Sequence, residues 1–296
     1  MAEISGITAN GKLVPERQWL RHVARLKSSL GSAIKNKPAA KKLIREKILA
    51  AVEKRSGRKF GILFSGGVDS AVIALICKML GRKFSCYTVG LKGSKDMAAA
   101  EAAAKKLKLK LIKKELSMAE VEFLLKKAAK AVPLKDVVNV EVAAVELAAI
   151  KLAKRHGDRV LFTGLGAEEI FAGYKRHILA KNANKECWQG LRMVWKRDFL
   201  RDCAIVASQK VTFLTPFLDT SLIIAAMRIP AKWKISTEDR KIILREVAAD
   251  LGLPEQFAFR RKHAAQYGSS VDKAVEKLAR SHGFRRKWEY IASISK

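Results

Sequence analysis

The sequence predicts an α/β protein, a parallel-sheet core with helical additions before and after it. Three observations carry that prediction. Short apolar runs at 60–64, 84–90 and 159–164 alternate with stretches of helical spacing. Each run leads into a glycine turn, at Gly66-Gly67, Gly90 and Gly164. Strand–helix alternation builds right-handed βαβ units and a parallel sheet, and such sheets bind ligands at the carboxyl ends of their strands. All three glycine turns fall at those ends.

Taken in order, residues 1–15 read as a short irregular or hairpin entry with Asn10-Gly11 as its turn. From about 16 to 55 the spacing is helical, through Trp19, Val23 and Leu26, then Ile44, Ile48 and Val52, with Lys37-Pro38 separating two helices. The run 60–64 is the first core strand and the helix 70–80 follows it. The second strand is 84–90 and the next helix 96–107, rich in Ala and Lys. Alternation over 109–113 marks a third strand, followed by helices at 118–131 and 139–156. The run 159–164 is the last strand expected. Beyond residue 185 helical spacing dominates, at 187–207, 219–228, 238–251 and 269–282. Three parts result: a helical segment 1–58, the α/β core 59–185, and a helical part 186–296 that closes the site.

Composition narrows the function. No apolar run approaches the roughly 20 residues that span a bilayer, and the start Met1-Ala2-Glu3-Ile4-Ser5-Gly6 lacks the basic-then-apolar pattern of a secretory signal. The expected compartment is therefore cytoplasmic, with no membrane partner. Cys77, Cys86, Cys187 and Cys203 form no C-x-x-C pair, which argues against a zinc ribbon, an iron–sulfur site or a disulfide framework. The net charge of +31, from 59 Lys and Arg against 28 Asp and Glu, is spread along the chain. Spread charge fits either a solvated surface or the footprint of a polyanion such as tRNA.

The chemistry-bearing stretch is Ser65-Gly66-Gly67-Val68-Asp69-Ser70, a tight turn between a strand and a helix start. Glycines let backbone N–H groups approach anionic oxygens, and a helix N-terminus adds unpaired donors and a positive dipole. Asp69 would repel a bare phosphate, so it makes sense there as a ligand of a bridging Mg²⁺. No Lys-Ser/Thr pair follows the glycines, which excludes a Walker A loop. A second strand-to-helix turn, Thr163-Gly164-Leu165-Gly166-Ala167-Glu168-Glu169, carries two carboxylates in its first helical turn. Either they favour the helix dipole alone, or one faces Asp69 and shares the metal.

These strings resemble a known family. Ser-Gly-Gly-Val-Asp-Ser resembles the pyrophosphate loop of the N-type ATP pyrophosphatases. The run from Thr163 to Tyr174 is similar to the Ser-Gly-Glu-Gly-Ala-Asp-Glu-Ile-Phe-Gly-Gly-Tyr motif of asparagine synthetase C-terminal domains. Arg201-Asp202 through Pro216-Phe217-Leu218-Asp219 aligns with that family without a gap, and Arg260-Arg261-Lys262 with its Arg-x-Lys. Gln266-Tyr267-Gly268-Ser269 is closest to the subgroup called asparagine synthetase domain-containing protein 1. The resemblance, over about 40–285, implies an adenine nucleotide alpha hydrolase-like core and an enzyme that splits ATP into AMP and pyrophosphate to form an amide. It implies that Ser65, Gly66, Gly67, Asp69 and Ser70 hold the pyrophosphate. Asp69 and Glu168 would hold Mg²⁺, Leu63, Val89 and Gly164 would contact the adenosine, and Lys262 would be catalytic.

The chain departs from the pattern in three ways. It begins without the Cys that heads the family's glutaminase domain, so nitrogen is expected as free ammonia, an amine or the product of a separate glutaminase. Leu165 and Thr212 stand where the family carries glutamates, which removes candidate bases and leaves the acid substrate open. Glu168 replaces the usual Asp. An amide ligase on an unidentified acid is thus the first expectation. An RNA-modifying enzyme of the same fold and a non-catalytic nucleotide-binding scaffold are the alternatives.

Overall fold

The computed structural model describes residues 3–4, 7–9, 12–57, 59–261 and 264–295. Its strands are β1 (Glu3–Ile4), β2 (Thr8–Ala9), β3 (Lys12–Leu13), β4 (Phe60–Leu63), β5 (Phe84–Gly90), β6 (Leu111–Glu115), β7 (Val160–Phe162) and β8 (Thr212–Leu214). Among the described residues, β2 and β3 form an antiparallel pair. The Asn10-Gly11 turn between them lies outside the described residues. The other six strands form one sheet in the order β1-β8-β7-β4-β5-β6, with every pair parallel.

That order places the site. From β4 the chain moves outward to β5 and β6, then returns to lay β7 on the opposite side of β4. The connections leaving β4 and β7 therefore diverge, and a crevice opens between the carboxyl ends of these neighbours. Ile62 lies opposite both Cys86 and Phe162, and all three are fully buried. Strands buried on both faces read as continuous apolar runs, which is why β4, β5 and β7 stand out in the sequence.

The helix Val68–Met79 after β4 buries ten consecutive residues, from Val68 to Cys77. It is apolar all round because helices and sheet enclose it, and it is in contact with the helices Lys37–Glu53 and Ile242–Asp250. Lys37–Glu53 starts where the Asn36 side chain accepts from the Ala39 N–H at 3.1 Å, with Pro38 in its first turn. A reciprocal cap, Ser117 with Glu120, starts Met118–Ala131.

Five differences separate the structure from the sequence reading. Strand β8 is only three residues long, too short for a periodic signal, yet it pairs with both β7 and β1. The third strand sits at 111–115, two residues later than expected. The helix expected over 187–207 runs as Ala183–Val194, a π turn Trp195–Phe199, and Leu200–Gln209. The helix expected from 238 begins at Ile242, because Lys241 adopts a left-handed backbone at φ 58°. A further helix, Lys287–Ile294, follows the last one expected. All four cysteines are free. No helix among the described residues is long and apolar enough to cross a membrane.

Candidate active site

The turn after β4 is curled by its own hydroxyls. The Ser65 N–H donates to Ser70 Oγ at 3.3 Å, Ser70 Oγ donates to the Gly67 carbonyl at 3.2 Å, and the Gly67 N–H reaches Ser65 Oγ at 3.4 Å. Gly66 has φ 66°, and a Cβ there would meet the Ala99 backbone at 2.6 Å. Only glycine fits that combination of conformation and approach. From the other side, the Arg260 guanidinium donates to the Ser65 carbonyl at 3.3 Å and pairs with Asp96 at 3.1 Å.

Asp69 lies in the first turn of Val68–Met79 and is 2% exposed. Its carboxylate accepts from Lys241 Nζ through both oxygens, at 2.8 and 2.7 Å. The same Nζ lies 2.7 Å from Glu168 Oε1. The carboxylates after β4 and after β7 therefore converge on one cationic centre across the crevice. Glu169, the neighbour of Glu168, turns away to pair with Arg197. Gly173 makes room for this arrangement: a Cβ on it would lie 1.7 Å from Glu168 Oε2 and 2.4 Å from Lys241 Cε. Lys241 is buried in a left-handed backbone that a lysine adopts at a cost.

A cavity of about 490 Å³ adjoins this point. Leu63, Ser65, Ser70, Val89 and Gly164 line it with Asp69 and Glu168. Its lining also includes Val142, Leu165 and Phe213, and an acidic floor of Glu146, Asp198 and Asp202 around Arg201. Arg201 pairs with Asp202 at 2.7 Å, Asp198 at 3.2 Å and Glu146 at 3.9 Å, and donates to Asn139 Oδ1 at 3.3 Å. Arg197 bridges Asp198 and Glu169. Four acids thus surround two guanidiniums. Burial, then the Asp202 charge, pushes the Glu146 carboxyl well above its usual range. Burial raises Asp202 to about 6 against the pull of Arg201, and Glu169 to about 7, where the Asp198 charge adds to burial and Arg197 opposes it. The same carboxylates raise Arg201 over the opposing effect of its own burial.

Of the residues singled out in the sequence, Leu63, Ser65, Asp69, Ser70, Val89, Gly164 and Glu168 line this one cavity. Gly66 and Gly67 form the turn beside it. Lys262 lies outside the described residues, whereas Arg260 touches the turn and Ala264 lines the cavity. Leu165 presents an apolar surface to the cavity, and Thr212 opens β8 in register with Val160. Lys241, Arg197, Asp198 and Glu146 escaped the sequence reading. Among 59 cationic residues a single lysine carries no signal, and Asp198 sits in a π turn that helical periodicity does not foresee.

Among the described residues, no group of three or more His, Cys, Asp or Glu side chains is arranged to hold a metal ion. The pair Asp69 and Glu168 nevertheless suits Mg²⁺. That ion takes one or two carboxylates and completes its shell with water and phosphate oxygens, and the two carboxylates already meet at one cation.

The switch-point crevice, the Gly-Gly turn and the paired carboxylates form one site at the carboxyl ends of a parallel sheet. The asparagine synthase family matches residues 43–210 and 180–287, and the chain belongs to that family. It is 33% identical over 271 residues to "Putative asparagine synthetase (glutamine-hydrolyzing) 1" of Methanocaldococcus jannaschii, an overlap of 77% of this chain and 49% of that protein. It is 27% identical over 242 residues to asparagine synthetase (glutamine-hydrolyzing) 2 of Oryza sativa subsp. japonica, covering 74% and 41%. The chain thus spans about half the length of these relatives or less. Among solved structures, NMN synthetase from Francisella tularensis is similar at a TM-score of 0.45 and 12% identity, over 88% of this chain and 93% of that one.

Proposed function

We propose that the chain is an ATP-dependent, AMP- and pyrophosphate-forming amide ligase. The convergence of Asp69 and Glu168 on the Lys241 ammonium carries this reading. In it, the Ser65–Ser70 turn and the N-terminus of Val68–Met79 receive the pyrophosphate. Leu63, Val89 and Gly164 flank the adenosine, and Asp69 with Glu168 hold Mg²⁺. When bound, that ion neutralises charge on the phosphates as pyrophosphate leaves.

The chain's own residues supply the remaining steps. A carboxylate attacking the α-phosphorus meets an anion, so preorganised donors and cations must offset the repulsion. The turn amides do so, together with Lys241 and, by its family position, Lys262. The space beside the acidic floor receives the acid and the nitrogen nucleophile, which is ammonia, an amine or nitrogen passed on by a separate glutaminase. Leu165 offers no base there, so the incoming nitrogen loses its proton to another acceptor, and Glu146 and Asp202 face the space it enters. The division into 1–58, 59–185 and 186–296, and a cytoplasmic setting, belong to the same reading.

The test is pyrophosphate release from labelled ATP over a panel of small acids with ammonium or amines. Asp69→Asn serves as the blank. Release that requires both an acid and a nitrogen donor, and that Asp69→Asn abolishes, supports the ligase. Equal release by Asp69→Asn refutes the site. The +31 charge favours one second reading, an RNA-modifying enzyme of the same fold. It predicts turnover that depends on total tRNA and tRNA retention that falls steeply as salt rises.

A further inference from the structure

The turn that follows the undescribed Lys262-His263 pair is clamped to the nucleotide end of the cavity. The Leu91 N–H donates to the Ser269 carbonyl at 3.0 Å, and the Ser269 hydroxyl donates to the Gln266 carbonyl at 3.4 Å. Gly268 lies so close to Asp96 that a Cβ would fall 2.0 Å from its carboxylate. Asp96 in turn holds Arg260, which touches the Gly-Gly turn. The residues 264–269 are thereby fixed over the carboxyl end of β5, beside Val89 and Gly90.

Gln266 lines the cavity from this clamped turn and is only 3% exposed. Its Oε1 is buried with no hydrogen-bond partner among the described residues. A buried carboxamide oxygen left unpaired is costly, so such a group in a cavity wall calls for a partner, an ordered water or a bound ligand. The last torsion of a glutamine side chain is soft, so the amide turns toward a bound molecule at little cost. A carboxamide offers one acceptor beside two donors. That pattern complements the adenine edge, where the N6 amino group donates and N7 accepts. It mismatches the corresponding guanine edge, which has two acceptors.

Resting on the nucleotide-site reading above, we propose that Gln266 reads the base of the nucleotide, selecting adenine over guanine through its carboxamide. The amide hydrogen-bonds the N6 and N7 edge while Val89 packs beside the ring. The preceding motif residues supply the phosphate grip, and Gln266 supplies the choice of base.

The experiment measures ATP, GTP and ITP binding to the full chain with Mg²⁺, by displacement of a fluorescent ATP analogue. Wild type is expected to prefer ATP over GTP and over ITP, which lacks the amino donor, by about tenfold or more. Gln266→Met, equal in length without the amide, is expected to lose most of that preference while GTP binding stays unchanged. If Gln266→Met fails to fold, Gln266→Asn withdraws the same amide by one bond and is expected to reduce the preference. A folded Gln266→Met or Gln266→Asn with the wild-type ATP-to-GTP ratio overturns the proposal and leaves the nucleotide site standing. Wild type that binds no nucleotide overturns both.

Discussion

In one cluster lining the cavity, around Lys241, one ammonium stands between two carboxylates; in the other, around Arg197 and Arg201, two guanidiniums stand among four. The first arrangement joins side chains from three separate segments, after β4, after β7 and before Ile242–Asp250, so a single movement of Lys241 opens it. The second is a closed network of Arg197, Arg201 and their acids, where burial raises Glu169 and Asp202 toward neutral pH. The difference separates two carboxylates bridged by one lysine from a buried network in which burial favours the protonated carboxyls.

The largest expected effect falls on the first cluster. Lys241→Met removes the shared cation and is expected to lower pyrophosphate release by about 10²–10³-fold, the usual cost of losing one preorganised charge-stabilising group. Its melting temperature should rise more with added Mg²⁺ than that of wild type, because the carboxylate pair is then open. Equal rates and equal Mg²⁺ responses would remove the functional contrast between the two clusters.

A smaller effect, read as stability, tests the second cluster. Arg201→Met strips Asp198, Asp202 and Glu146 of their shared partner. It is expected to cost about 3–5 kcal/mol in urea unfolding, the range for breaking a buried ion pair. A loss within about 0.5 kcal/mol, typical of an unconstrained surface site, would show that the floor is not a network.

The smallest effect is a slope. Burial holds the Glu169 carboxyl at about 7 in the folded chain, against its ordinary 4.5. A raised carboxyl pKa favours the folded state below the unfolded value, and that stability is lost as pH climbs through the folded one. Wild type should therefore lose up to about 1.4 kcal/mol per pH unit between these values, relative to Glu169→Gln. Parallel stability curves for the two proteins would place Glu169 with ordinary, solvated carboxylates.

The pairing of the two glycine turns around Asp69 and Glu168 was largely legible in the sequence and the acidic floor was not. β4, β5 and β7 are short apolar runs broken by glycines, and Asp69 and Glu168 lie within a few residues of those breaks, so local pattern sufficed. Lys241 is distant in sequence and looks like any other lysine. Only its left-handed backbone and burial mark it, and neither is written in composition. The floor depends on the π turn at Trp195–Phe199, where one extra residue per turn aims Arg197 and Asp198 at the cavity. Periodicity read straight through it as one helix. Strand β8 was missed for a similar reason: three residues are too few to repeat.

The lysine clasped by Asp69 and Glu168 also governs how the resting protein meets its surroundings. Under the proposed function, with that seat taken by a tethered side chain, a metal would enter only when something else claims the ammonium, as a triphosphate would by its own charge. Metal and nucleotide would then come aboard together, and the idle protein would hold few stray cations.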